Sequence, residues 1–423
     1  MLAIQLLRQN KDLVLEGLKK KHFKETELVD TILALDENRR KVQVESDNAA
    51  AFINASSKSI GQLMAKGEKD EAEKLKSDVA ANKEKAKELS QKLVDMDKQL
   101  HDALVLLPNM PHSSVPEGRT PEENAVVRSW GTTPDLSAQK LPHWELMDKY
   151  QLVDFELGTK ITGSGFPVYM GQGAKLQRSL ISFFLNHNIE AGYKEYYPPY
   201  MVNEASAYGT GQLPDKEGQM YHATEDNLFL IPTSEVPVTN LYRDTILTEA
   251  QLPVKMTAYS PCFRREAGSY GKDVRGLNRV HQFDKVEIVQ LVAPETSYDT
   301  QEQMLAHVEE LLKALGLQYR VLNLCGGDMS FASARTYDLE VYSAAQERWL
   351  EVSSVSNFET FQTNRMKIRY KNADGKTQLV HSLNGSSLAL PRIMACLLEN
   401  HQTPEGITIP EALRPYFGAD MIK

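Results

Sequence analysis

Cysteine is scarce in this chain: Cys262, Cys325 and Cys396 are its only three, and they stand far apart. An odd, dispersed set argues against a disulfide framework and against a Cys-x-x-Cys zinc site, and it fits a reducing, cytoplasmic compartment. Long apolar runs are missing too. No stretch approaches the ~20 residues that cross a bilayer, and residues 1–24 lack the continuous apolar core and cleavage site of a signal peptide. No membrane partner is therefore expected. An excess of positive charge is also absent, since 48 Lys and Arg stand against 57 Asp and Glu, a net charge of −9. Bulk charge does not call for a nucleic-acid partner, so any such site must be a local basic patch.

What is present is length and regularity. At 423 residues the chain can bury a large core in two or three domains. Residues 1–24 read as one short helix. Then Leu28, Ile32, Leu35, Arg39, Val42, Ser46, Ala49, Ile53, Ser56, Ile60 and Leu63 recur in steps of four and three. After Lys66-Gly67-Glu68 the pattern resumes at Leu75, Val79, Asn82, Ala86, Leu89, Leu93, Met96, Leu100 and Ala103. Such spacing keeps one seam on one side of a slightly supercoiled helix, and two seams joined at a glycine fold back as an antiparallel coiled coil. Arg39, Ser46, Ser56 and Asn82 weaken the seam. Taken alone, such an arm is a dimerisation or scaffold element.

Residues 107–135 are rich in proline and read as a linker, which gives an arm over 1–106, a linker over 107–135 and a second domain over 136–423. In that domain, strand signals near 228–231, 255–264, 280–292, 318–324, 337–342, 348–355 and 379–382 alternate with helix signals. The helices are expected near 173–188, 234–246, 296–315 and 387–401. This is an α+β pattern around an antiparallel sheet.

The densest chemistry lies between Pro261 and Gln290. Two strands flank a connection broken by Gly268, Gly271 and Gly276, expected to be long and mobile, and carry Arg264, Arg265, Lys272, Arg275, Arg279 and Lys285. Planar guanidinium forks suit phosphate oxygens. Among the β-branched residues Val286, Ile288 and Val289, Glu287 should turn toward a pocket or solvent. The order Phe263-Arg264-Arg265-Glu266, then Arg279-x-x-x-Phe283, resembles motif 2 of class II aminoacyl-tRNA synthetases. The segment Gly192 to Val202, entered from a helix and passing Pro199, resembles motif 1 of that family. Leu383 to Arg392, a small-residue-rich turn followed by a helix, resembles motif 3, with Ser387 and Pro391 where the family has glycine. Neither signature of the rival synthetase class is found.

Two further segments narrow the resemblance. Thr233-Ser234-Glu235 is similar to the loop that recognises the substrate ammonium in several class II enzymes. Glu351-Val352-Ser353-Ser354-Val355-Ser356-Asn357-Phe358 is similar to a strand of seryl-tRNA synthetases that serves Mg²⁺ and ATP. With the long N-terminal arm, the chain resembles the bacterial-type seryl-tRNA synthetases over nearly its whole length.

That resemblance implies a class II catalytic domain behind a coiled-coil arm, and a serine–tRNA ligase. Serine would be activated with ATP to seryl-adenylate and passed to the 3′ end of tRNA(Ser), and by family to tRNA(Sec). It implies that Thr233, Ser234, Glu235, Arg264, Glu287, Asn384 and Ser386 line the serine site, with Ser386 beside the substrate hydroxyl. The ATP site would draw on Arg264, Arg265, Glu266, Val280, His281, Gln282, Phe283, Glu351, Val352, Ser353, Ser354 and Arg392. Within it, Arg264 holds the α-phosphate, Glu266 lies by the adenine, Phe283 stacks on it and Arg392 takes the γ-phosphate. Arg264, Glu266 and Arg392 are the catalytic candidates, and Glu351 and Ser354 the Mg²⁺ ligands, hard oxygens suited to that ion. No zinc is expected. The partners implied are tRNA through the arm and a second copy of the chain through motif 1. Two other readings stay open on the residues: a paralogue that loads a carrier protein, and an inactive RNA-binding or scaffold homologue.

Overall fold

The computed structural model describes residues 1–215, 217–266 and 275–423. Gly268, Gly271 and Lys272, and the expectation of a mobile connection there, lie outside the described residues. The chain divides into two compact units, residues 1–19 with 23–108 and residues 20–22 with 109–423.

The first unit opens with helices α1 (Ile4–Gln9) and α2 (Lys11–Lys20) where one helix was expected. Asn10 leaves helical geometry at φ −138°, ψ 50° and separates them. Helices α3 (Leu28–Lys66) and α4 (Lys69–Leu104) then form the hairpin. With 39 and 36 residues, they run about 58 and 54 Å at 1.5 Å per residue. The reversal is made by Gly67, whose φ of +83° is costly for any residue with a Cβ. Every seam position named above from Leu28 to Ala103 is buried or half-buried, against a mostly exposed remainder. The weak points are partly answered by charge: Arg39 Nε lies 2.5 Å from Asp97 Oδ1 across the hairpin. Asp36, 1% exposed, sits beneath Arg8 and Arg40. Burial alone would raise its carboxyl, but the two guanidinium groups overcome that and hold it below its ordinary range.

The second unit is built on an eight-stranded sheet. In chain order its strands are β1 (Ala125–Trp130), β2 (Lys194–Glu195), β3 (Val254–Phe263), β4 (Gln282–Val292), β5 (Tyr319–Asn323), β6 (Arg335–Ser343), β7 (Arg348–Glu359) and β8 (His381–Ala389). They lie side by side as β1-β5-β6-β7-β8-β4-β3-β2. All neighbours are antiparallel except β2, which adds to β3 in parallel. Helices α5 (Gly171–Glu190), α6 (Ser297–Ala314) and α7 (Leu390–Asn400) cover one face. Val286, Ile288, Tyr337, Leu339, Val341, Val355 and Leu383 point into that apolar layer. Alternation along each strand sends the intervening residues to the opposite face, where Asp338, Ser354, Ser356, Asn384, Ser386, Lys285, Glu287 and Ser260 make a polar patch beside a second apolar cluster that includes Met256, Ala258, Val289 and Leu291.

Three expectations need correction. The stretch read as linker contributes β1, which pairs with β5 from Ala125↔Asn323 to Trp130↔Tyr319. The helix expected over 234–246 spans only Glu235–Asn240, and Ile246–Thr248 is a strand. The small-residue segment before Arg392 is no turn but the strand β8, flanked on both sides by neighbours; a Cβ at Gly385 would press on Val355 at 3.2 Å and Ile288 at 3.4 Å.

Candidate active site

The polar face of the sheet is aimed by two bulges. Opposite β4, Lys285 pairs with Ala389 but Glu287 with Ser386, so β8 carries an extra residue, and Leu388 there has φ +82°. Opposite β6, Leu339 pairs with Ser353 but Glu340 with Glu351. A bulge re-aims the side chains around it, and these two flank the strands that bear Glu351, Ser354 and Ser386.

Glu287 is buried, at 1% exposed, and does not turn to solvent. Its Oε2 lies 2.5 Å from Lys285 Nζ. The same ammonium donates to Thr233 Oγ1 at 2.8 Å, and the threonine hydroxyl reaches Glu287 at 3.4 Å. Glu235 is the second buried acid here; its Oε1 accepts from Gln362 Nε2 at 2.6 Å, and Asn384 also hydrogen-bonds to it. Burial, then the charge of Glu287, pushes the Glu235 carboxyl up to about 7. One buried cation thus faces two buried carboxylates, an arrangement one positive charge short of neutrality when both acids are ionised and suited to a small ammonium ligand. Ser234 turns away from it into the sheet, where Ser260 Oγ donates to it at 3.1 Å.

Beside this pocket, Arg264 lies with its guanidinium 5.2 Å from the centre of the Phe283 ring. Arg265 instead lies over Tyr221, and Glu266 pairs with Arg279 at 3.0 Å. His281 is engaged elsewhere: it stacks on Phe166 at 5.4 Å, and its Nδ1 is 3.1 Å from the Arg264 carbonyl. Val280 is buried, while Gln282 is exposed.

On the far side, Arg392 opens α7, with Pro391 comfortably in the first turn. Its Nη1 donates to the Glu351 carbonyl at 2.7 Å and lies 3.7 Å from Glu351 Oε2. Val352 belongs to the apolar core and Ser353 Oγ donates to the Ser386 carbonyl at 2.6 Å, so neither side chain reaches the polar face. Ser354 does, hydrogen-bonded to Asp338. Asp338 Oδ1 is buried without a partner among the described residues, and burial, then the nearby Glu351, drives its carboxyl well above the ordinary range. A hard divalent cation fits this oxygen-rich set, because it would relieve the repulsion between two acids and partner the orphaned oxygen.

Sequence reasoning passed over Lys285 as a pocket residue, and also Gln362, Ser260 and Asp338. For Lys285 the signal was available: two positions before Glu287 on one strand, it must share its face. Gln362 and Asp338 arrive through tertiary packing alone. Elsewhere, His187, His307 and Glu310 bring ligand atoms within 4.8 Å of one another. The two rings stack at 4.3 Å with 20° between their planes, so their lone pairs do not converge on one ion.

Comparison with known proteins follows the same division. The family model for the seryl-tRNA synthetase N-terminal domain matches residues 1–111. The model for the tRNA synthetase class II core domain (G, H, P, S and T) matches residues 219–401. A serine–tRNA ligase of Salinibacter ruber is 50% identical over 99% of this chain and 98% of its own length. One of Akkermansia muciniphila is 48% identical over 100% and 99%. The crystal structure of seryl-tRNA synthetase from Pyrococcus horikoshii complexed with ATP superposes with TM-score 0.92 at 32% identity, covering 100% of this chain and 99% of that one. The cytoplasmic serine–tRNA ligase of Naegleria fowleri, in complex with AMP, gives 0.88 at 27%, with the same coverage.

Proposed function

The chain belongs to the seryl-tRNA synthetase family, a serine–tRNA ligase of class II, and from that premise we propose how its own residues carry the reaction. The observation that carries the reading is the buried triad Lys285–Glu287–Glu235 behind Thr233. The ammonium of L-serine enters as the second cation and Glu235, with Thr233, receives it. Glu287 and Ser386, opposite one another in register, face the side-chain hydroxyl. An analogue without that hydroxyl leaves a buried polar group unpaired, so alanine is rejected strongly. Threonine needs only a steric wall.

ATP lies between Arg264 and Arg392, with the adenine against Phe283 and Glu266. The relative crystallised with ATP supports a nucleotide here. A serine carboxylate oxygen attacks the α-phosphorus; the bond to the β-phosphate oxygen breaks and pyrophosphate leaves. No protein nucleophile takes part. The enzyme's contribution is positioning two anions against each other and neutralising the charge that builds on phosphorus, chiefly through Arg264. Glu351 and Ser354, backed by Asp338, hold Mg²⁺, which when bound neutralises phosphate charge. The terminal ribose hydroxyl of tRNA(Ser) then attacks the acyl carbonyl and AMP leaves; tRNA(Sec) would be served in the same way.

Three further roles complete the reading. The α3–α4 hairpin grips tRNA by backbone and shape, which suits an RNA read without base contacts. A homodimer forms through the end of α5 and the segment after it, where Ile189, Tyr197 and Met201 are exposed, Tyr197 at 74%. The enzyme works in the cytoplasm, as three free, buried cysteines allow. A carrier-loading paralogue would have no use for the hairpin that the family model matches over residues 1–111. The test is ATP–pyrophosphate exchange with each of the twenty amino acids. Exchange with serine alone is expected; equal exchange with alanine would overturn the pocket assignment.

A further inference from the structure

Outside that site, a buried polar cluster surrounds Glu399, which is 0% exposed. Its Oε1 accepts from the His143 backbone N–H at 2.9 Å, from His143 Nδ1 at 2.7 Å and from Gln346 Nε2 at 2.9 Å. Its Oε2 accepts from Ser343 Oγ. With Nδ1 donating to a carboxylate, the other ring nitrogen of a neutral His143 is left as a lone pair. That lone pair is used: Nε2 accepts the Leu277 backbone N–H at 2.9 Å. The turn is pressed onto the ring so closely that a Cβ at Gly276, whose φ is +63°, would lie 2.3 Å from Nε2.

The turn so held is the one that grips Arg392. Arg392 Nε donates to the Asn278 carbonyl at 3.0 Å, and Asn278 Nδ2 donates to Gln346 Oε1 at 2.9 Å. Glu399 follows Arg392 on the same helix by about two turns. One face of α7 therefore holds Gly276–Asn278 twice, directly through Arg392 and through Glu399 by way of His143 and Gln346.

We infer that His143 is a positioning residue for the activation step: its Nε2 lone pair fixes the Gly276–Asn278 turn, and the turn fixes the direction of the Arg392 guanidinium. The inference rests on the reading of Arg392 as a phosphate ligand. It predicts a defect confined to ATP use, since neither serine nor the transfer step touches this turn. A residue that merely filled the core would instead lower stability and all substrate parameters together.

Two substitutions isolate the one hydrogen bond. His143→Asn places an amide near the Nδ1 position, keeping the bond to Glu399, but is too short to reach Leu277. His143→Gln carries a carbonyl oxygen out to the Nε2 position. In pyrophosphate exchange, His143→Asn is expected to lose roughly tenfold or more in kcat/KM for ATP, the scale of a small misplacement of a catalytic group. Its serine KM, and single-turnover transfer from enzyme-bound seryl-adenylate to tRNA, should stay within about twofold of wild type on the same argument. His143→Gln should recover most of the loss. Equal exchange by the two variants, or a loss shared with serine KM and transfer, overturns the inference. Gln346→Met, which releases Asn278 and removes one donor to Glu399 but leaves the His143 hydrogen bonds to Glu399 and Leu277 in place, gives the same reading by a second route if His143→Asn does not fold. Arg392→Ala is the control. If it exchanges normally, the reading of Arg392 fails; if it is defective while His143→Asn and Gln346→Met match wild type, only the role of His143 fails.

Discussion

Lys285 and Glu287 stand two positions apart on one strand and form an ion pair at 2.5 Å, with side chains 7% and 2% exposed. Removing one partner of such a pair strands a buried charge, at a cost of about 3–5 kcal/mol. Lys285→Met should therefore lower the thermal midpoint clearly, because it leaves Glu287 beside Glu235 with no cation. Glu287→Ala should abolish serine-dependent exchange while leaving ATP binding, measured by equilibrium titration, largely intact. Normal exchange by Glu287→Ala would exclude Glu287 from the serine site.

Glu235 gives a pH dependence with a definite sign. In the free enzyme its carboxyl is pushed up to about 7, so below that pH the pocket is occupied by a proton that the serine ammonium must displace. The serine KM should be flat above about pH 7.5 and rise by up to tenfold per unit below about 6.5, while the KM for ATP changes much less. Stability moves the other way. A carboxyl whose folded value exceeds its unfolded one favours the folded state at low pH, and that contribution is lost as pH rises through 7. Measuring serine KM from pH 5.5 to 8 decides; a flat profile would mean that Glu235 does not receive the ammonium.

Arg264 is expected to act in the transition state. Arg264→Ala should reduce kcat of activation by roughly 10²–10³, the loss associated with one stabilising donor. Arg264→Lys should rescue poorly, because an ammonium reproduces neither the planar fork nor its placement over the Phe283 ring. A lysine variant with near wild-type turnover would contradict that role.

Ser387 shows where the sequence was legible and where it was not. As a departure from a family glycine it stood out, yet its reason is visible only in three dimensions: Ser387 Oγ donates to Asn188 Oδ1 at 2.9 Å, and Asn188 Nδ2 donates to Thr257, which in turn bonds the Glu287 carbonyl. Ser387→Ala should cost about 1 kcal/mol, the net worth of one buried hydrogen bond, read as a small fall in thermal midpoint. No change at all would mean that the bond carries nothing. Periodic features were easier. The seam from Leu28 to Ala103 was readable residue by residue because its spacing is dictated by helix geometry. The long strands were placed within a few residues because alternation fixes their faces. Strand β1 was missed because all six of its residues are exposed; backbone pairing, the Arg128–Glu309 ion pair at 3.0 Å and the Trp130–Tyr319 stack hold it, and none of these leaves an alternation of apolar and polar residues in the sequence. Segment β8 was taken for a turn because Asn, Gly and Ser favour turns locally, and that preference is overridden by neighbours on both sides. Asp338 and Gln362 left no trace, since packing between distant segments brings them to the site.

The hairpin carries none of the residues placed in the active site. Its two helices are antiparallel, so residues 28 and 103 lie at the same end of it and a short bridge can replace what lies between. Deleting residues 29–102 should leave a folded protein that forms seryl-adenylate at a comparable rate, while transfer to tRNA collapses because the grip is gone. Lys58, Lys66, Lys69, Lys74, Lys76, Lys83 and Lys85 are interspersed with acids along the hairpin, so few phosphates are neutralised at once. The salt dependence of tRNA affinity should be correspondingly shallow, with about 0.7–0.9 log units lost per phosphate contact per decade of salt. Single lysine-to-alanine changes should each cost little. Proline at Ala86, a half-buried seam position, should cost much, because it breaks the helix by ~3 kcal/mol or more. Exchange and aminoacylation measured side by side on the deleted protein separate the possibilities. If both fall, the hairpin is needed for folding or dimerisation; if neither falls, tRNA is held elsewhere and the hairpin is a scaffold.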